Sequence, residues 1–211
     1  MAEKISRGRN GTDVVVAARL CAILFRVGNE DMKNDFSFCP SCGGRRIENV
    51  RMRKWRCADC GFDLYNNVAS AVGLVVQDAE GRILFEKRGK EPRRGLLALP
   101  GGFVDPDESA EDACARECRE ELGVEPVSLE YIASFPNTYD YKNIQYKTCD
   151  LFFRAELPRG AAFKTQESEV LSLEWRFVRT EQELSELPLA FESARKTLAK
   201  LLSVSKTGKS V

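Results

Sequence analysis

The chain contains no histidine. That absence excludes His-based catalytic triads and every zinc site that needs an imidazole. A general base or metal ligand must then be a carboxylate, cysteine, lysine, tyrosine or water. An excess of either charge is also lacking. The 32 lysines and arginines match 32 aspartates and glutamates, for a formal net charge of zero. The balance gives no overall electrostatic case for nucleic acid or a membrane as the main partner. Long apolar runs are missing as well. Val14 to Phe25 is apolar apart from Arg19 and follows Lys4, Arg7 and Arg9, like a signal peptide. It is too short to span a bilayer, and no small-residue cleavage site follows. It reads as a short amphipathic helix, or as an extension upstream of a start at Met32. Internal repeats and low-complexity segments are absent.

What is present suits one domain of ordinary size with a small module, since the chain has 211 residues. A 43% hydrophobic share is enough to build a core. Of eight cysteines, Cys39, Cys42, Cys57 and Cys60 form two C-x-x-C pairs; Cys21, Cys114, Cys118 and Cys149 are scattered. A secreted disulfide framework would not cluster this way, so a reducing, cytoplasmic setting with one metal site is expected.

The two pairs read CPSCGG and CADCGF, with fourteen residues between Cys42 and Cys57. A glycine follows the second cysteine of each, where positive φ lets backbone amides point at sulfur. Four thiolates suit tetrahedral Zn²⁺ in a closed structural site, although the usual gap is about 15–20 residues. A redox dithiol or two disulfides are the alternatives. Arg45 to Arg56 reads as a tight hairpin. Arg45, Arg46, Arg51, Arg53, Lys54 and Arg56, with Trp55 as a stacking platform, are either a nucleic-acid surface or a solvated cationic face.

Ala69 to Val76 reads as a buried strand and Arg82 to Lys87 as a second, joined in a hairpin by the turn at 78–81. A basic loop follows, with Arg88, Lys90, Arg93 and Arg94. Ser109 to Asp112 fits a capping box that opens a central helix, and Gly123 fits its C-terminal stop. Ala110, Ala113, Cys114, Cys118 and Leu122 form the packed face, and the two cysteines read as small core residues. Val127 to Phe135 and Lys147 to Leu157 read as strands flanking a polar aromatic loop, Pro136 to Tyr146. A further strand is expected near Leu173 to Val178, and an amphipathic helix over Ala190 to Leu202.

The central helix carries Glu117, Glu120 and Glu121 within about 100° of one another. Like charges at i, i+4 destabilise a helix, here Glu117 against Glu121. A hard divalent cation removes that penalty, because Mg²⁺ takes oxygen ligands from carboxylates and substrate phosphates.

The stretch 102–124 resembles the Nudix box, G-x5-E-x7-R-E-U-x-E-E-x-G-U with U apolar. Gly102, Glu108, Arg116, Glu117, Glu120, Glu121 and Gly123 match its fixed positions, and Cys118 and Val124 its apolar ones. With the four-cysteine module in front, the chain resembles the zinc-ribbon Nudix hydrolases, which include the NADH pyrophosphatases. The resemblance implies an α/β (α+β) fold, a Nudix α/β/α sandwich with a mixed sheet, preceded by a zinc ribbon. The expected divisions are an undefined extension over 1–35, the ribbon over 36–65, the Nudix domain over 66–203 and a flexible tail over 204–211. It also implies metal-dependent hydrolysis of a nucleoside diphosphate linked to another group, with Mg²⁺ or Mn²⁺. Carried over, Glu117, Glu120, Glu121 and the Gly102 carbonyl are metal ligands, and Arg116 orients the carboxylates. Glu169 is the further acid from the loop before the last strand, with Glu167 as substitute. Arg88 is placed on the outer phosphate, and Tyr139 and Tyr141 on the base.

Downstream, SFPNTY matches the S-Q-P-W-type signature of NADH pyrophosphatases only at Ser134 and Pro136. Substrate choice therefore stays open among NADH, ADP-ribose, other dinucleotides and an oxidised nucleotide. Two other readings compete with the hydrolase of small nucleotides: a non-catalytic nucleotide sensor whose ribbon binds nucleic acid or protein, and an enzyme removing a nucleotide cap from RNA. A homodimer is an assembly that analogy with the family allows, while the sequence itself leaves the oligomeric state open.

Overall fold

The computed structural model describes residues 36–142, 144–166 and 168–207, with Tyr141, Ile144, Lys206 and Thr207 described by backbone only. The expectations for residues 1–35 and for Glu167 lie outside the described residues. No helix among the described residues is long and apolar enough to cross a membrane.

The ribbon is an antiparallel sheet of β1 (Ile47–Val50), β2 (Lys54–Cys57) and β3 (Asp63–Tyr65). The expected hairpin forms between β1 and β2. Arg51 and Met52 take φ of 52° and 60° at its tip, the left-handed pair that matches strand twist. Neither is glycine, and the Asn49 side chain supports the turn by accepting from the Met52 N–H at 2.9 Å. Trp55 does not serve as a stacking platform. It is 4% exposed, with Phe36 edge-on to its ring at 4.9 Å. So small a sheet has little else to bury, and its one indole goes inside. The basic face is partly neutralised: Arg46 pairs with Asp59, and Lys54 and Arg56 share Asp63.

Beyond the ribbon come β4 (Ala69–Val76), β5 (Ile83–Arg88), β6 (Leu97–Ala98), α1 (Ala110–Leu122), β7 (Ser128–Tyr141), β8 (Ile144–Glu156), β9 (Val170–Arg176), α2 (Glu181–Glu186) and α3 (Glu192–Thr207). They build two three-stranded sheets, a mixed one ordered β4-β8-β7 and an antiparallel one ordered β6-β5-β9. The expected β4–β5 hairpin does not form. The turn at 78–81 instead passes the chain from one sheet to the other, leaving a single bridge from Gln77 to Ile83. Local turn residues fix where the chain reverses, not which strand it then pairs with.

Most of the expected loop at 136–146 is also strand, since β7 runs to Tyr141 and β8 starts at Ile144. The pair β7–β8 stays in register from Ser128 opposite Glu156 to Tyr141 opposite Ile144, with one bulge at Ile132. The freed Ile132 carbonyl accepts from Lys200 Nζ at 3.0 Å.

Each strand sends alternate residues to opposite sides. Val75, Ile83, Phe85 and Phe152 pack with Ala194, Leu198 and Leu202 of α3. Val72, Leu74, Val76, Leu84 and Phe153 pack with Ala113, Cys114, Cys118 and Leu122 of α1. Helices therefore cover both sides of the strands, giving the α/β/α sandwich. Helix α3 starts two residues later than its pattern suggested, because Ala190 N–H donates to the Leu97 carbonyl at 2.7 Å. It continues through Thr207, into the stretch expected to be a flexible tail.

Candidate active site

Helix α1 begins where its sequence places it. Ser109 Oγ accepts from the Asp112 N–H, and Gly123 ends the helix at φ 71°. Its N-terminal approach, residues 100–104, runs along the outer edge of β4. Leu74 N–H donates to the Pro100 carbonyl, Val72 N–H to Gly102, and Val104 N–H to Ser70. This lashing brings backbone against the helix. A Cβ at Gly101 would sit 2.1 Å from the Val72 carbonyl oxygen, and one at Gly102 would sit 2.3 Å from Glu117 Oε1. Only glycine fits at Gly101, where the clash is with backbone and φ is 143°, whereas a side chain at Gly102 would displace the Glu117 carboxylate.

The glutamates are not merely at the rim of the packed face. Glu117 is 8% and Glu121 4% exposed, whereas the Glu120 side chain is 52% exposed. Arg116 organises them. Its Nε and Nη2 hold the two oxygens of Glu108, its Nη1 lies 2.7 Å from Glu117 Oε1 and 3.5 Å from Glu120 Oε2, and Nη2 also donates to the Phe103 carbonyl. Glu121 Oε2 accepts from the Gly101 N–H at 2.7 Å. Burial pushes the Glu117 carboxyl up, against the pull of Arg116. Burial pushes Glu121 well above the carboxylate range, and repulsion from Glu86 and Glu117 adds to it. The Arg116 hydrogen bond holds Glu108 below that range.

These groups line a cleft of about 310 Å³, at the small end for a ligand site. The cleft brings together Gly102, Arg116, Glu117, Glu120, Glu121, Glu169, Arg88 and Tyr139. The Tyr141 side chain lies outside those described. Glu169 pairs with Lys90 across the cleft. Arg88 is 7% exposed, donates from Nε to the Pro92 carbonyl at 3.0 Å, and leaves Nη2 buried without a partner. Tyr139 is edge-on to Phe103 at 5.2 Å and stacked on Phe191 at 5.9 Å.

Three features were missed in the sequence. Phe191, just before α3, underlies both Tyr139 and the Arg88 guanidinium, which sits 5.0 Å from its ring centre. Asp150 is a buried carboxylate accepting from Asn137, Thr148 and Ser193 at 2.9, 2.6 and 2.6 Å. Glu86 lies on β5 at 2% exposure with Oε2 unpartnered. The one acidic residue in the strand pattern RILFEK was the available sign of it.

In the ribbon the four cysteine sulfurs lie within 4.8 Å of one another. Cys39 Sγ is 3.7 Å from Cys60 Sγ, and Cys42 Sγ is 3.7 Å from Cys57 Sγ. That is far beyond a disulfide and close to the ~3.8 Å edge of a tetrahedron with 2.3 Å metal–sulfur bonds. Gly43 and Gly61 take φ of 71° and 76°, as expected for the two knuckles, and the Gly44 N–H donates to Cys42 Sγ at 3.4 Å. The set could hold a metal ion.

A family model described as the NUDIX domain matches residues 68–201. A NAD-capped RNA hydrolase NudC of Deinococcus radiodurans is 30% identical over 173 residues, covering 80% of this chain and 57% of the relative. Its Pseudomonas aeruginosa namesake is 31% identical over 140 residues, covering 65% and 46%. The chain thus spans about half the length of these curated relatives. Among solved structures, a NUDIX hydrolase from Nitrosomonas europaea superposes with a TM-score of 0.58 at 26% identity, over 82% of this chain and 94% of that one. A MutT NUDIX hydrolase from Burkholderia pseudomallei gives 0.53 at 26%, over 64% and 98%. The matched region carries the glutamate helix, its arginine clamp and the two glycines that let the strand edge close upon it, and the chain belongs to the NUDIX domain family.

Proposed function

We propose that this protein hydrolyses the pyrophosphate bond of a nucleoside diphosphate linked to a second group, of the NADH or ADP-ribose class. One observation carries the reading: Glu117 and Glu121 are buried beside Glu120 in a cleft that also holds the unpartnered Arg88 Nη2. Carboxylates crowded into a cleft favour a divalent cation, and a buried guanidinium with a spare N–H favours a phosphate oxygen.

The donor set fits Mg²⁺ or Mn²⁺, all oxygen, with Glu117, Glu120, Glu121, the Gly102 carbonyl and Glu169 as the groups that would hold it. Bound there, such an ion neutralises diphosphate charge and acidifies a water. The protein supplies the rest. Arg116 fixes the carboxylates, Arg88 draws in a phosphate, and Tyr139 on Phe191 offers an aromatic wall for a base. A carboxylate of the α1 set accepts the proton of the attacking water. The water oxygen bonds to phosphorus, one bridging P–O bond breaks, and two monophosphate products leave. The four ribbon thiolates fit structural Zn²⁺, because four protein sulfurs fill a tetrahedral set and make a closed site.

The relatives' name points to a NAD group as the substrate class, free or at an RNA end. The test is a panel of NADH, ADP-ribose, nucleotide sugars, diadenosine polyphosphates, nucleoside triphosphates and NAD-capped RNA, with monophosphate release measured with and without Mg²⁺ or Mn²⁺. Metal-dependent turnover that Glu120→Gln abolishes is expected. Absence of any metal-dependent product, or an unaffected Glu120→Gln enzyme, would sink the proposal; tight binding without turnover would leave a nucleotide sensor in its place.

A further inference from the structure

We infer that Glu86 is an additional carboxylate ligand for the divalent cation at the α1 glutamates, an inference that rests on the metal-dependent reading above. Glu86 is on β5, the central strand of its sheet, paired opposite Ala98 on one side and Leu173 on the other. Strand alternation puts it in one row with Leu84, whose side chain packs among Cys114, Cys118 and Leu122 of α1. It therefore faces the box helix from below, where its carboxyl comes within hydrogen-bonding reach of Glu121.

Its neighbours leave one of its oxygens without a hydrogen-bond donor. Arg116 is spent on Glu108, Glu117 and Glu120. Lys90 is engaged by Glu169. The Gly101 N–H takes one oxygen of Glu121. Arg88, two residues along the strand, is a nearby opposite charge but donates no hydrogen bond to it: its Nε goes to the Pro92 carbonyl and its guanidinium lies over Phe191. Glu86 Oε2 is left buried, on the cleft lining, with no donor. An uncompensated buried carboxylate oxygen is costly, and an apolar residue continuing the Leu84 row would remove the cost. Two carboxylates meeting from a strand and a helix, with a spare oxygen buried between them, present oxygen ligands from two rigid elements to one hard cation.

The experiment measures Mn²⁺ binding to the full chain without substrate, from the free-ion spin resonance signal, alongside thermal midpoints in chelator and in Mn²⁺. Glu86→Gln keeps the shape and removes the anionic ligand. It should weaken the tightest Mn²⁺ binding about tenfold or more, leave the metal-free midpoint unchanged or raised, and lose most of the Mn²⁺-induced rise. Glu86→Asp should fall between the two. If Glu86→Gln lowers the metal-free midpoint yet binds Mn²⁺ like wild type, Glu86 is structural and the inference is overturned. Glu120→Gln separates the two levels. Weakened binding there with unchanged binding in Glu86→Gln overturns this inference alone, whereas no site-specific Mn²⁺ binding in wild type overturns the metal-dependent reading with it.

Discussion

Arg116 grips Glu108 through two parallel bonds, Nε to Oε1 and Nη2 to Oε2, both at 2.9 Å. Eight residues apart, one stands in the loop before α1 and the other two turns into it. The bidentate fork fixes the guanidinium plane, and the same group then reaches Glu117 and Glu120. Glu108 thus acts on the cleft without lining it.

Glu108→Gln should therefore lower turnover about ten- to a hundredfold, the usual scale for a group that orients metal ligands. The variant also has a pH signature. Glu108 is held below its ordinary value of 4.5 by Arg116, so its contribution to stability is full above that value and is lost as pH falls through the depressed one. Denaturant unfolding from pH 7 to pH 3 should show the gap between wild type and variant closing at the acid end.

Glu120 is half exposed and touches only Arg116 at 3.5 Å among the described hydrogen bonds. Glu120→Gln should leave stability within about 0.5 kcal/mol of wild type. Its turnover should fall by about a hundredfold or more, the scale of losing one preorganised electrostatic contact. Parallel calorimetry and kinetics separate the two effects.

The aromatic wall should control binding more than chemistry. Tyr139→Ala removes a ring stacked on Phe191 and edge-on to Phe103. We expect KM to rise about tenfold, from a lost stacking contact of roughly 1–2 kcal/mol, with a smaller change in kcat. Equal loss in both would place the ring at the reacting phosphate instead.

The ribbon should carry one zinc per chain. Cys39→Ser or Cys60→Ser removes one corner of a sulfur set 3.7 Å on its edges, and should abolish the stoichiometric zinc seen by elemental analysis. A chelator should melt the ribbon as well, because so small a sheet depends on its metal to fold.

Cys114 and Cys118 should resist alkylation while the protein is folded. Both are fully buried. Burial pushes their thiols up to about 12 and about 11, so at pH 8 only about one in a thousand or fewer is thiolate. Mass spectrometry after iodoacetamide treatment should find both unmodified in the native protein and both modified after denaturation.

The box helix, its cap at Ser109, its stop at Gly123 and the cysteine knuckles were legible because each is a short-range pattern. Helical period, capping and glycine φ are set within a few residues, and so is the crowding of Glu117, Glu120 and Glu121. The tertiary structure alone decided the rest. It sent β4 and β5 to different sheets, extended β7 and β8 through a supposed loop, and buried Trp55. It brought Glu86, Phe191 and Asp150 to the glutamates from strands and turns some 30 to 80 residues away. Strand partners depend on which distant surfaces bury one another, and strand alternation alone does not name the partner. The physical reason is the range of the forces. Local sterics and hydrogen bonds write the helix, while long-range packing determines which charges share its cleft.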